Sequence, residues 1–164
     1  MKTILTMTQT TGGFNSAELL EQESACELKD FDNAIAQEIG AIATKIGLER
    51  NLGIEISIRM GEWEVFKAAL PGSKQESDGW INRKANVVNL TKHSTMYERV
   101  RSEEAGIDWH SQHGVEDATH AIHGGGFPIY VEDKGFAGIL LISGLPQVDD
   151  HKLAVEILQV FLNR

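Results

Sequence analysis

Residues 123–144 read HGGGFPIYVEDKGFAGILLISG. From Phe127 onward the stretch predicts a β-hairpin, two apolar runs joined by a turn at 132–135. A second hairpin precedes it in the chain. Ile54, Ile56 and Ile58 alternate with Glu55, Ser57 and Arg59, the pattern of a strand with one buried face. Residues 60–62 supply a turn, and 63–70 return as the partner before Pro71 and Gly72 end the strand. Paired hairpins imply an antiparallel sheet, and helices must cover its faces.

Those helices are visible in the apolar spacing. Phe31, Ile35, Ile39, Ile42 and Ile46 make one stripe, with Asp30 or Asp32 to cap its start and Gly47 just past its end. An earlier helix starts at Asn15 or Ser16, with Glu18 placed to complete a capping box. A long helix is expected from Ser77 toward Val100. The last helix presents Leu153, Ile157, Leu158 and Phe161, with Asp149 as N-cap and Val148 and Leu153 as a hydrophobic staple. The expected organisation is a flexible tail over 1–14 and one α+β domain over 15–164.

The chain has 164 residues and a formal net charge of -9, which argues against a general nucleic-acid binder. The lone cysteine, Cys26, sits among glutamates and reads as structural, in keeping with a reducing compartment. No apolar run is long enough to span a bilayer, and the first residues do not read as a signal peptide. The expectation is a soluble cytoplasmic protein without membrane or nucleic-acid partners.

The triple glycine, Gly124, Gly125 and Gly126, needs a reason, because glycine is costly to order. An esterase oxyanion hole would require a G-x-S-x-G elbow, which is absent. A dinucleotide or P-loop motif fails on spacing as well. His110, His113, His120 and His123 form two H-x-x-H pairs, yet without a metalloprotease signature they read as loop histidines. The predicted long helix carries Asn82, Asn86, Asn89 and His93 on one stripe. It also carries Arg83, Lys84, Lys92, Arg99 and Arg101 against Glu98 alone, a local reversal of the chain's sign. Such a face suits an anionic ligand or an acidic neighbouring subunit. His151 stands in the first turn of the last helix beside Asp149 and Asp150.

Three segments, GWINRKANVVNLTKHSTMY, HGGGFPI and GILLISGLPQVDDHKLAVEIL, together resemble the haem-degrading-domain proteins of the GlcG/HbpS-like group, in their branch of uncharacterised function. The resemblance implies a profilin-like fold, an antiparallel sheet of about five strands with helices on both faces, and a homodimer or larger homo-oligomer. Relatives include a haem-binding sensor and the haem-binding C-terminal domain of a cobalamin adenosyltransferase. Carried over by position, the matching polar residues are Arg83, Lys84, Asn86, His93, Ser94, His123, Asp150 and His151. Lys92 stands where the group's pattern has an aromatic residue before the His-Ser pair.

The functional expectation is therefore a cytoplasmic, oligomeric protein binding a small anion, haem or another tetrapyrrole among the candidates. Basic residues would meet carboxylates, amides of Gly124, Gly125 and Gly126 would help cradle them, and His93 or His123 would ligate iron. The alternative is a non-enzymatic interaction scaffold in which the same features serve subunit contacts. An enzyme using Asp150 and His151 as an acid–base pair ranks last, since no nucleophile or cofactor motif supports it.

Overall fold

The computed structural model describes residues 11–164. The elements run α1 (Ser16–Ala25), α2 (Asn33–Glu49), β1 (Glu55–Met60), β2 (Trp63–Ala69), α3 (Glu76–Thr91), α4 (Thr95–Ala105), α5 (Trp109–His113), β3 (Gly126–Val131), β4 (Gly135–Ser143) and α6 (Gln147–Leu162). Both predicted hairpins form. They join through β1 and β4 into an antiparallel sheet of order β2-β1-β4-β3.

Among the described residues the sheet has four strands, one fewer than expected. What would be a fifth strand is a single parallel bridge, Leu28 to Val131, in which Leu28 donates to Tyr130 O and accepts from Glu132 N. It cannot lengthen, because α1 ends at Ala25 and Asp32 already caps α2 by accepting from Ile35 N.

Alternating side chains of β4 divide the core. Leu140 and Ile142 pack with Ile54, Ile56, Ile58, Phe127 and Ile129 beneath α2 and α6. Ile139 and Leu141 point the other way, onto Ile81, Ala85 and Val88 of α3. Strand β1 is therefore covered on both faces, not one. Glu55 and Ser57 are buried under the start of α3, with Ser57 donating to Glu64 at 2.7 Å. The Cys26 thiol is buried too, and burial pushes its pKa up to about 11.

The expected long helix is two helices. Lys92 adopts the left-handed region at φ 63°, and Ser94 then caps α4 by accepting from Tyr97 N. Three further expectations shift locally. Helix α2 runs past Gly47 to Glu49, and Gly47 is needed inside it, since a Cβ there would lie 2.3 Å from Leu70 Cδ1. Pro146, not Asp149, holds the N-cap of α6. Val148 packs with Leu19, Met96 and Phe14 whereas Leu153 joins the main core, so no staple forms between them. Part of the histidine segment, expected as loop, is the short helix α5. Of the tail expected over 1–14, residues 1–10 lie outside the described residues, while Phe14 packs edge-on against His151 at 5.4 Å.

Candidate functional site

The first turns of α3 and α6, the end of β4 and the glycine run meet at one end of the sheet. Between them lies a cleft of about 270 Å³, lined by Ser77, Trp80, Lys84, His123, Gln147 and Asp150 among others. Lys84 forms part of its wall although only 2% of the residue is exposed. Its Nζ donates to Ile142 O at 3.0 Å and to Asp150 Oδ2 at 3.2 Å. Asp150 Oδ1 accepts from Leu145 N. Burial lowers the Lys84 pKa against the pull of Asp150, and burial pushes the Asp150 carboxyl up to about 6 against the pull of Lys84. A lysine and a carboxylate have thus been taken out of water together, where each holds the other.

The triple glycine is the shell of that pair. Gly125 has φ 126°, and a Cβ on it would lie 2.3 Å from Ile142 O and 2.8 Å from Lys84 Nζ. At Gly124 a Cβ would meet Gln147 O at 2.3 Å, and at Gly126 it would meet Thr95 and Val88 at 3.0 Å. The amides of Gly124 and Gly126 donate to Gln147 Oε1 and Thr95 Oγ1. Those two amides are therefore turned to the protein's own side chains and do not form an anion cradle.

His123 stands at the mouth, half-buried, its ring edge-on to Trp80 with centroids 4.7 Å apart. Its pKa is lowered, first by burial and then by Arg99, Lys84 and Arg83, with Asp117 alone opposing. The imidazole is uncharged at neutral pH.

The other expected site residues lie elsewhere. Arg83 donates to Asp117 Oδ2 and to Asp117 O, both at 2.7 Å, and stacks over Trp80. Asn86 donates to Thr119 O, so Arg83 and Asn86 pin the 114–122 segment to α3. The basic face expected on one long helix is largely compensated within the chain: Arg99 reaches Glu103, Arg101 reaches Glu98, and Lys92 lies over Phe136. Asn82 of the asparagine stripe likewise turns to the protein itself, accepting from Arg59.

His93 and His123 are in different places. His93 Nδ1 donates to Glu23 Oε1 at 2.9 Å, and the other oxygen of Glu23 accepts from Ser94 N. That hydrogen bond is the main reason the His93 pKa is raised. Ser94 itself is a buried cap, and the shallow cleft beside His93 is lined by Glu23 and Glu27. His151 is sealed at 0% exposure between Phe14 and Phe127, donating Nε2–H to Gln22 Oε1 at 2.7 Å while Nδ1 has no partner. Burial brings its pKa to about 4. It bonds away from Asp150, so the expected acid–base pair does not form.

His110 donates to His120 O and His113 to Trp109 O; among the described residues no cluster of three His, Cys, Asp or Glu could hold a metal. Sequence reasoning did not mark Trp80, Gln147 and Ser77 as cleft residues. Trp80 was open to notice, since it begins the W-x-x-R-K run of which Lys84 is the last residue.

A tetrapyrrole can be tested against this geometry. The cleft at His123 is smaller than the roughly 300–1,000 Å³ that encloses a drug-sized ligand. His93 is hydrogen-bonded to Glu23, which favours its charged form, and sits among carboxylates that would repel propionates. Among the described residues, the clefts beside His93 and His123 therefore do not enclose a macrocycle, although the neutral ring of His123 has the chemistry of an iron ligand.

Among relatives, a UPF0303 protein of Streptomyces avermitilis is 37% identical over 147 residues, covering 90% of each chain. A UPF0303 protein of Rhizobium leguminosarum bv. trifolii is 37% identical over 146 residues, 89% of this chain and 88% of that one. The crystal structure of the Ybr137w protein superposes with a TM-score of 0.86 at 25% identity, covering 100% of this chain and 96% of the other. HbpS shares the fold at a TM-score of 0.64 and 12% identity, over 82% of this chain and 91% of its own. A PduOC:heme complex does so at 0.62 and 18%, over 77% of this chain and 94% of its own. Residues 31–159 match the family described as haem degrading protein HbpS-like, and the chain belongs to that HbpS-like family.

Proposed function

We propose that this protein is a self-associating binding protein that holds a small anion in the Lys84–His123 cleft. The observation that carries the reading is the buried amine of Lys84 in the cleft wall, with an uncharged His123 at the mouth in a field set by Arg99, Lys84 and Arg83. A carboxylate entering there gains from that field, and the small volume selects against bulky ligands. Equilibrium dialysis with radiolabelled lactate tests it. Saturation at one ligand per chain, weakened in His123→Ala and Trp80→Ala, is expected; non-saturating uptake that both variants share contradicts it.

A second reading keeps haem, supported by the uncharged imidazole of His123 and by the PduOC:heme neighbour. Since neither of these clefts encloses the macrocycle, haem would lie across the mouth with His123 as its ligand. Titration with haemin should then give a Soret shift that His123→Ala removes and His93→Ala leaves intact. Loss of the shift in His93→Ala alone would overturn this version.

Self-association is supported by an apolar surface between α2 and edge strand β2, about 630 Å³ of open groove flanked by Leu48 and Phe66. Leu48 and, further along β2, Trp63 stand 51% and 62% exposed. Leu48→Glu should lower the mass measured by light scattering; an unchanged mass would move the contact elsewhere.

A further inference from the structure

Lys84 is an unusual residue to find in the wall of a ligand cleft. A lysine is usually kept at the surface, and one held inside is a strong cation only while its partner is charged. Its two protein acceptors, Ile142 O and Asp150 Oδ2, are at 3.0 and 3.2 Å. Those two contacts leave one tetrahedral position of Nζ uncommitted. In the ammonium that position is a third N–H; in the free amine it is the lone pair. A Cβ on Gly125 would lie 2.8 Å from Nζ, so glycine is what lets the backbone come this close to the amine.

Resting on the reading of this cleft as a small-anion site, we propose that Lys84 is a reactive amine which captures small 2-oxo acids as an imine, with Asp150 carrying the protons. The free amine attacks the carbonyl carbon, a C–N bond forms, and the π pair moves to oxygen. The nitrogen passes one proton to the Asp150 carboxylate, which delivers it to that oxygen and gives the neutral carbinolamine. The second nitrogen proton follows the same route to the carbinolamine hydroxyl, which leaves as water while the C=N bond forms. One amine and one carbonyl become one imine and one water, and no oxidant or reductant takes part.

The surroundings suit each step. Burial, the largest influence on Lys84, favours the neutral nucleophile. Asp150 at about 6 lies close enough to neutral to give and take a proton. Arg99 and Arg83, which help to lower the His123 pKa, favour the acid's carboxylate at the mouth, and Trp80 lines the cleft beside His123. The cleft of about 270 Å³ has room for a small 2-oxo acid. Lys84 is not a spare part of the fold in this view: its fastening role and its reactivity use the same two acceptors.

The test needs no variant to fold. The native protein is incubated at pH 7.5 with pyruvate and cyanoborohydride, which reduces an imine to a stable carboxyethyl amine, and then digested and mapped by mass spectrometry. Labelling of Lys84 severalfold above surface lysines such as Lys45 and Lys152 is expected, because burial favours its neutral form. In urea the preference should vanish. Asp150→Asn should slow the labelling of Lys84 without changing that of Lys45. Labelling of Lys84 no faster than the surface lysines overturns the proposal. If lactate still binds saturably in that case, the small-anion reading stands without the imine; if it does not, both fall.

Discussion

Lys84 Nζ lies 3.2 Å from Asp150 Oδ2, and both side chains are almost fully sealed from solvent. The pair ties three elements, α3, β4 and α6, at the point where the cleft opens. Removing one member leaves a buried group without its partner, which costs far more than removing both. Lys84→Met should therefore destabilise the protein by about 3–5 kcal/mol in chemical denaturation, and adding Asp150→Leu should recover most of it. Additive losses in the double variant would contradict a coupled pair.

Gly125 is the backbone position that this pair depends on. Its φ of 126° is strained for any L side chain, and a Cβ would meet Ile142 O at 2.3 Å. Gly125→Ala should cost at least about 2 kcal/mol, more than the same change at exposed Gly61, which has nothing within 4 Å. Equal effects at the two positions would show that the turn, not the packing, needs glycine.

Glu55 gives the fold a pH dependence of defined sign. Its carboxyl is pushed up to about 7, by burial first and then by its hydrogen bond to Asp78. Between the usual carboxylate range and that value the folded chain holds a proton that the unfolded chain has released, so stability falls as pH rises through the window. Glu55→Gln keeps a donor for Asp78 and should be more stable than the parent by about 1–3 kcal/mol at pH 8 but equal to it near pH 4. The same gain at both pH values would remove the titration from the account.

His93 has the opposite chemistry from His123. Its pKa is raised, mainly by its hydrogen bond to Glu23, so the stability it contributes is complete below the unfolded imidazole value and is lost as pH rises through the folded one. Histidine titration by NMR should place His93 above an ordinary imidazole and His123 below it. Glu23→Gln should bring His93 down and leave His123 where it was; a His93 value unmoved by Glu23→Gln would break the pairing.

Much of this was legible in residue order. The Ile54, Ile56 and Ile58 alternation and the 132–135 turn predict both hairpins, because strand period and turn chemistry are local properties. The strand count is not local: whether Leu28 begins a strand or makes one bridge depends on how soon α2 is capped. The break at Lys92 escaped for a similar reason, since the apolar stripe continues through it and only Ser94, as a cap, marks the restart. At the site, Lys84, His123 and Asp150 were marked by motif and are lined up on one cleft. Asp150 and His151 are neighbours in sequence yet face opposite sides of α6's first turn, one to Lys84 and one to Gln22. The signs of charge could be counted in the sequence, but which arginines neutralise their own loops could not.

A lactate titration followed by amide and indole NMR tests directly whether the Lys84–His123 cleft holds a small anion. Saturable shifts are expected at the Trp80 indole, Gly144 and Gln147, all at the Lys84–His123 cleft, with Tyr130 beside His93 unmoved. Saturable shifts centred on His93 and Tyr130, or none that saturate, would contradict it.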